Sequence, residues 1–174
     1  MSAAAAPSGR SLSRLEKLLF RLESQLAVLA FVAREIEGRN GVVFELGLGK
    51  GRTYDHLRQR LPGREIFVFE REVDTNPFRM PDAAHLIMGE MAETLPAMAR
   101  RFAGEVVLAH SDVGSFDRAH NAAMAALVSR LLPPALAPGA LVVADLPLSL
   151  PGCAPVPLPE GAIDGRYFLY RRGE

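Results

Sequence analysis

An apolar pentapeptide, Val42–Leu46, runs directly into the segment E-L-G-L-G-K-G, in which Glu45 precedes glycines at 47, 49 and 51, and a helix-patterned stretch follows from about Arg52 to Leu61. No other feature of the 174-residue chain constrains its fold as much. Strand, tight glycine turn and helix, in that order, make the first half of a β–α–β unit. Glycine without a Cβ adopts positive φ and lets the backbone approach a ligand more closely than any other residue. The dinucleotide-binding version of such a turn, G-x-G-x-x-G/A, requires a small residue at position 52, where this chain has Arg52. That arginine weighs against a nicotinamide dinucleotide and an oxidoreductase.

The pattern repeats downstream. Pro62 and Gly63 close the first crossover helix, and Glu65–Glu70 (EIFVFE) reads as a second buried strand that ends on an acid. Ala84–Met88 reads as a third strand, Glu90–Phe102 as a helix and Val106–His110 as a fourth strand. A helix is expected near Phe116–Ala135, and a fifth strand at Leu141–Ala144 beyond the Pro138–Gly139 turn. Strands alternating with helices predict an α/β fold, a doubly wound and mostly parallel sheet whose ligand lies at the carboxyl ends of the strands. From Leu146 to Pro159 the chain is rich in proline and lacks a helical period, so the next helix is missing or replaced by an extended segment. Tyr167–Arg171 (YFLYR) reads as a final strand, antiparallel at or near the sheet edge. Ahead of the whole pattern, Leu12–Glu37 carries apolar residues at spacings of three and four, which predicts a long helix. Its second half is apolar around most of the circumference and therefore calls for cover on more than one side, by the domain or by a second copy in a homodimer.

Twenty basic residues balance twenty acidic ones, so net charge favours neither nucleic acid nor an anionic membrane as partner. The longest apolar run, Leu26–Ala33, falls well short of the roughly 20 residues a membrane helix requires. The single cysteine, Cys153, has no internal disulfide partner and no metal-ligand neighbours, which points to a reducing, cytoplasmic setting and no metal. The expected organisation is a flexible leader over residues 1–11 and one domain over 12–174: an N-terminal helix to 37, a cofactor-binding core over 42–145, and a proline-rich segment and final strand over 146–174.

The segment VVFELGLGKGRTYDHL resembles the first motif of class I S-adenosylmethionine-dependent methyltransferases, an acidic residue followed by three glycines at alternate positions. The later MGEMAETLP, AHSDVGSFD and LVVADLPL resemble the corresponding segments after the strands in small bacterial members, and the acid after strand two is in register. The resemblance spans Val42 to Leu148. It implies a Rossmann-like methyltransferase fold with an N-terminal helix and a shortened C-terminal region, S-adenosyl-L-methionine as cofactor, and methyl transfer as the activity. No Asn-Pro-Pro-Tyr-type tetrapeptide follows strand four, so methylation of an amide or a nucleobase amino group gains no support. No separate recognition domain or basic, aromatic-studded stretch is present for nucleic acid, which leaves a small-molecule acceptor as the expectation. The rival reading is a non-catalytic, regulatory module that binds S-adenosylmethionine.

Individual residues take expected roles on this basis. Gly47, Leu48, Gly49 and Gly51 form the turn, with Lys50, Arg52 and Thr53 placed to meet the methionine carboxylate; Thr53 serves equally as a helix cap. Glu45 orders the loop or accepts from the methionine ammonium. Glu70 is the expected ribose ligand, the alternative being a solvated strand-end carboxylate. Arg71 stacks on the adenine or is a solvated loop arginine. Gly89 and Glu90 sit where the resemblance puts the adenine edge, although a carboxylate at a helix start also complements the helix dipole. His110, Ser111 and Asp112 follow strand four, where the family keeps groups that touch the transferring methyl or the acceptor. His110 and Asp112 are the candidate bases, and a turn-forming role before Gly114 is the alternative for Asp112. Tyr54 and His56 stand just inside the helix after the glycine turn and are candidates to face the cleft, with a plain helical role as the simpler alternative for His56.

Overall fold

The computed structural model describes residues 11–75 and 77–174; the expected leader over 1–11 lies almost wholly outside them. Helix α1, Arg14–Glu35, starts at Ser13 through a reciprocal capping box with Glu16. Strand β1 (Val42–Leu46), α2 (Arg52–Arg60), β2 (Ile66–Glu70), β3 (Leu86–Met88), α3 (Met91–Arg101), β4 (Val106–Ser111), α4 (Arg118–Leu131) and β5 (Leu136–Ala144) then follow the expected alternation. The chain ends with β6 (Cys153–Pro155) and β7 (Phe168–Arg172). All seven strands form one sheet in the order β3-β2-β1-β4-β5-β7-β6. Its first five strands run parallel, and β7 pairs antiparallel with β5 on one side and β6 on the other. The strand order reverses at β1, which leaves a crevice at the carboxyl ends of β1 and β4, the usual ligand position in such sheets.

Strands β1 and β4 are buried along their whole length, as expected of central parallel strands covered on both faces. Their register places Glu45 beside His110 and Leu46 beside Ser111. The second half of α1 is covered by the domain itself, with Val28, Leu29, Val32, Ala33 and Ile36 all buried. Its first half carries little apolar burial, with Leu15 and Leu19 75% and 51% exposed, and Leu26 on the outer side of the second half is 53% exposed.

Several boundaries differ from the sequence expectation. The third strand starts at Leu86 because the Asp82 side chain accepts the Ala84 and His85 N–H groups and holds them in a turn. The fourth helix starts at Arg118, where Asp117 caps it by accepting from Ala119 and His120 N–H. The segment after β5 is extended, and it contributes β6, a short edge strand in which Pro155 is tolerated. The expected final strand over Tyr167–Arg171 is present as β7, antiparallel and near the edge as expected, one strand in from β6.

Candidate functional site

The turn from Gly47 to Gly51 carries the chain from β1 into α2. At Gly47 φ is 92° and at Gly51 70°, both in the left-handed region. A Cβ at Gly47 would stand 3.2 Å from the Asp112 carbonyl oxygen, and one at Gly51 would stand 2.6 Å from that of Arg79. The turn is therefore pressed between the loop after β4 and the segment after β2.

Glu45 lies beneath this turn, fully buried. Thr53 Oγ1 donates to its Oε1 at 2.5 Å, and His110 Nδ1 lies 2.8 Å from its Oε2. Burial, the largest single influence on His110, opposes its positive charge. The attraction and hydrogen bond of Glu45 outweigh burial, with help from Asp112 and Asp145, and the net shift of the imidazole is upward. Glu45 thus orders the loop by tying β1 to α2 and β4. Thr53 binds this acid instead of capping α2, whose N-cap is Gly51 without a side-chain bond.

Two adjoining cavities, of about 250 and 270 Å³, open at this end of the sheet and share Gly47, Gly49, Asp112 and Gly114. The larger is walled by Phe69, Glu70 and Arg71 after β2, Gly89, Glu90 and Met91 after β3, and His120, Met124 and Leu127 of α4. It combines an apolar wall with three carboxylates, Glu70, Glu90 and the shared Asp112. Glu70 is turned onto the glycine loop: Oε2 accepts from Leu48 and Gly49 N–H at 2.9 and 3.0 Å, while Oε1 accepts from Arg71 and Glu72 N–H. Arg71 and Glu90 face each other at 3.7 Å, both exposed.

The smaller cavity is walled by the glycine loop with Lys50, Arg52 and Thr53 on one side, and by Leu18, Arg21, Leu22 and Gln25 of α1 on the other. Arg21 Nη2 reaches both oxygens of Asp112 at 2.8 Å, and Gln25 Nε2 donates to Asp112 Oδ2 at 3.1 Å. Asp145, at the end of β5, stands behind Asp112 and accepts from Val113 and Gly114 N–H. Burial, reinforced by the charge of Asp112, pushes the Asp145 carboxyl up to about 6. Tyr167, 1% exposed, lies against the same group, and burial followed by the Asp112 charge pushes its phenol up to about 12 despite the nearby Arg21 guanidinium.

The structure therefore gathers Gly47, Gly49, Arg52, Thr53, Glu70, Arg71, Gly89, Glu90 and Asp112 around the two cavities. Leu48 also lines the smaller cavity, whereas Glu45, Gly51 and His110 line neither. Of the two candidate bases, His110 is sealed from both cavities, and Asp112 reaches them but is held by Arg21. Tyr54 packs into the core and His56 lines neither cavity, so these two do not face the cleft. Arg21, Gln25, Asp145 and Tyr167 were not singled out from the sequence. No local pattern marks Arg21 or Gln25, which stand among the other polar residues of α1.

A doubly wound sheet, a glycine turn seated on a buried acid and a carboxylate ending β2 beside a two-part cleft define a Rossmann-like adenosyl-binding domain of the methyltransferase type. The chain belongs to the S-adenosyl-L-methionine methyltransferase family whose pattern matches residues 12–172. A solved S-adenosyl-L-methionine methyl transferase from Silicibacter pomeroyi DSS-3 is 46% identical, superposes with a TM-score of 0.89, and aligns over 94% of this chain and 100% of its own. Two more distant structures share the fold. MNMC2 from Aquifex aeolicus has a TM-score of 0.57 at 12% identity, over 88% of this chain and 61% of its own. Cofactor-bound Rv0187 from MTB has a TM-score of 0.52 at 19% identity, over 95% and 84%. No curated protein matches the chain significantly. The protein is an S-adenosylmethionine-dependent methyltransferase, and S-adenosyl-L-methionine is its methyl donor.

Proposed function

We propose that the adenosyl end of the donor is held in the larger cavity and that the methyl group passes to a small-molecule acceptor arriving where the two cavities meet. The orientation of Glu70 carries this reading. Four backbone N–H groups fix its carboxylate at the boundary between the glycine loop and the larger cavity, where it would hold the ribose hydroxyls. Gly89 and Glu90 would meet the adenine edge, with Arg71 over one face and Met91, Met124 and Leu127 supplying apolar contact. The group fits for a further reason: a Cβ at Gly47 would crowd the Asp112 carbonyl, so only glycine leaves the shared boundary open.

Bound there, S-adenosylmethionine supplies an electrophilic methyl on a sulfonium, and its transfer demands alignment above all. The chain's residues provide that alignment and exclude water. With His110 sealed and Asp112 paired with Arg21, neither candidate base stands free at the junction, and a protic acceptor passes its proton to water at the open mouth of the cleft. Closure of the cleft by α1 and a balanced net charge support a small acceptor over a nucleic acid. The exposed Leu15, Leu19 and Leu26 on α1 support a homodimer, and an unpaired Cys153 is in keeping with the cytoplasm. Among the described residues, no helix is long and apolar enough to cross a membrane.

Calorimetric titration with S-adenosylhomocysteine and NAD tests the placement. Wild type is expected to bind the adenosyl ligand and ignore NAD, and Glu70→Ala is expected to bind it at least 10-fold more weakly. A folded Glu70→Ala protein with wild-type affinity refutes the assignment.

A further inference from the structure

We propose that Arg21 and Asp112 form a clamp for the amino-acid end of the methyl donor, Arg21 taking its α-carboxylate and Asp112 its α-ammonium, so that α1 is a lid seated by that zwitterion. The inference rests on the placement of the adenosyl end given above. A ligand whose nucleoside lies beside Glu70 continues across the shared boundary at Gly47 and Gly49 into the smaller cavity. The charges waiting there have opposite signs on opposite walls. Arg21 stands on α1 and Asp112 at the end of β4, at 2.8 Å, with side chains 47% and 16% exposed.

An α-amino acid carries its two charges on a single carbon, in a spacing that suits insertion between such a pair. One ion pair is then replaced by two, each of them partly shielded from water, where charge-assisted hydrogen bonds are strong. Both protein charges are also supported from behind. Gln25 Nε2 holds Asp112 Oδ2. Tyr167 Oη, buried and without a hydrogen bond of good geometry, lies beside the Arg21 guanidinium and gives it a second partner when Asp112 turns to an ammonium. The other cations lining this cavity are placed less well: Lys50 is paired with Asp74, and Arg52 is exposed at the rim.

A mere structural staple between α1 and β4 would affect every ligand alike, whereas a clamp discriminates by the amino-acid end. The test is calorimetry with S-adenosylhomocysteine and 5′-methylthioadenosine, which shares the nucleoside and thioether but lacks the amino acid. Wild type is expected to favour S-adenosylhomocysteine by at least 100-fold. Arg21→Ala should weaken S-adenosylhomocysteine about 10- to 100-fold and change 5′-methylthioadenosine less than about twofold, while Arg21→Lys, which keeps the charge and carries the test should the alanine variant not fold, restores part of the loss. Hydrogen exchange of α1 in wild type should slow with S-adenosylhomocysteine and not with 5′-methylthioadenosine. An equal loss for both ligands in Arg21→Ala, or no loss for either, overturns the clamp. Wild-type binding of the two ligands with equal affinity overturns the clamp and leaves the adenosyl site standing, whereas failure to bind either overturns both.

Discussion

Asp145→Asn separates the charge of one carboxylate from its hydrogen bonds. In the fold Asp145 lies behind Asp112, and its carboxyl titrates near 6 against an ordinary 3.8 because burial and the neighbouring carboxylate both disfavour its ionised form. The proton belongs to the pair, and the fold favours the protonated state. That stabilisation is fully present below pH 3.8 and lost as pH rises through about 6, because between these values the folded chain binds more protons than the unfolded one. A shift of about two units corresponds to ~3 kcal/mol at most, and partial exposure reduces it to about 1–2 kcal/mol over the window from pH 4.5 to 7.5. Asparagine carries no charge, keeps one acceptor for Val113 N–H, and loses the one facing Gly114 N–H, at a cost of about 1–2 kcal/mol. The variant should therefore be less stable than wild type at pH 4.5 and about level with it at pH 7.5. Urea unfolding of both proteins across that range reads the difference directly, and the shared groups other than Asp112 cancel. A stability difference that does not change with pH would refute the account of Asp145.

Glu45→Ala should cost about 3–5 kcal/mol, because it removes the partner of buried His110 and of Thr53 Oγ1 together; Glu45→Gln, which keeps an acceptor, should cost clearly less. Thermal unfolding measures both, and a loss below about 1 kcal/mol in the alanine variant would contradict the role given to this acid. Gly47→Ala should destabilise by about 1–3 kcal/mol through its positive φ and should weaken S-adenosylhomocysteine at least 5-fold by pushing on the Asp112 carbonyl. Retained affinity in calorimetry would mean that the loop after β4 yields without affecting the ligand.

What the sequence makes legible follows from where each structure gets its stability. β1, β2 and β4 are covered on both faces, so their residues appear as short runs dominated by apolar side chains, and the glycine turn marks the cleft because its backbone geometry disfavours other residues. β6 has no such signature: its three residues hold together only by pairing with β7, and Pro155 argues against a strand. β5 starts at Leu136, ahead of the Pro138–Gly139 pair, because a register shift against β4 takes up the irregularity. Among the residues lining the larger cavity, Glu70 was legible from its position at the end of β2, and Glu90, at the start of α3, from the family resemblance. Arg21 was not, since it meets Asp112 across 91 positions of sequence and no local pattern encodes that contact. Tyr54 and His56 could only be candidates to face the cleft, with a plain helical role the simpler one for His56, because helix phase is not legible in the sequence; α2 turns Tyr54 into the core.

Helix α1 closes one side of the cleft. Its 22 residues meet three environments, and only the second half, which enters the core, reads as apolar around most of its circumference. From Val28 onward the helix is fixed in the core. Near its middle, buried Ser24 accepts from Ile163 N–H, which ties the helix to the segment before β7. N-terminal to Ser24, little apolar burial holds it, and the ion pair of Arg21 with Asp112 is the principal polar attachment to the rest of the chain. Local opening is easiest where buried apolar contact is sparse. The first two to three turns can therefore lift from the cleft about a pivot at Ser24 while the core half stays in place, giving ligands a way in that leaves the sheet and the glycine turn undisturbed.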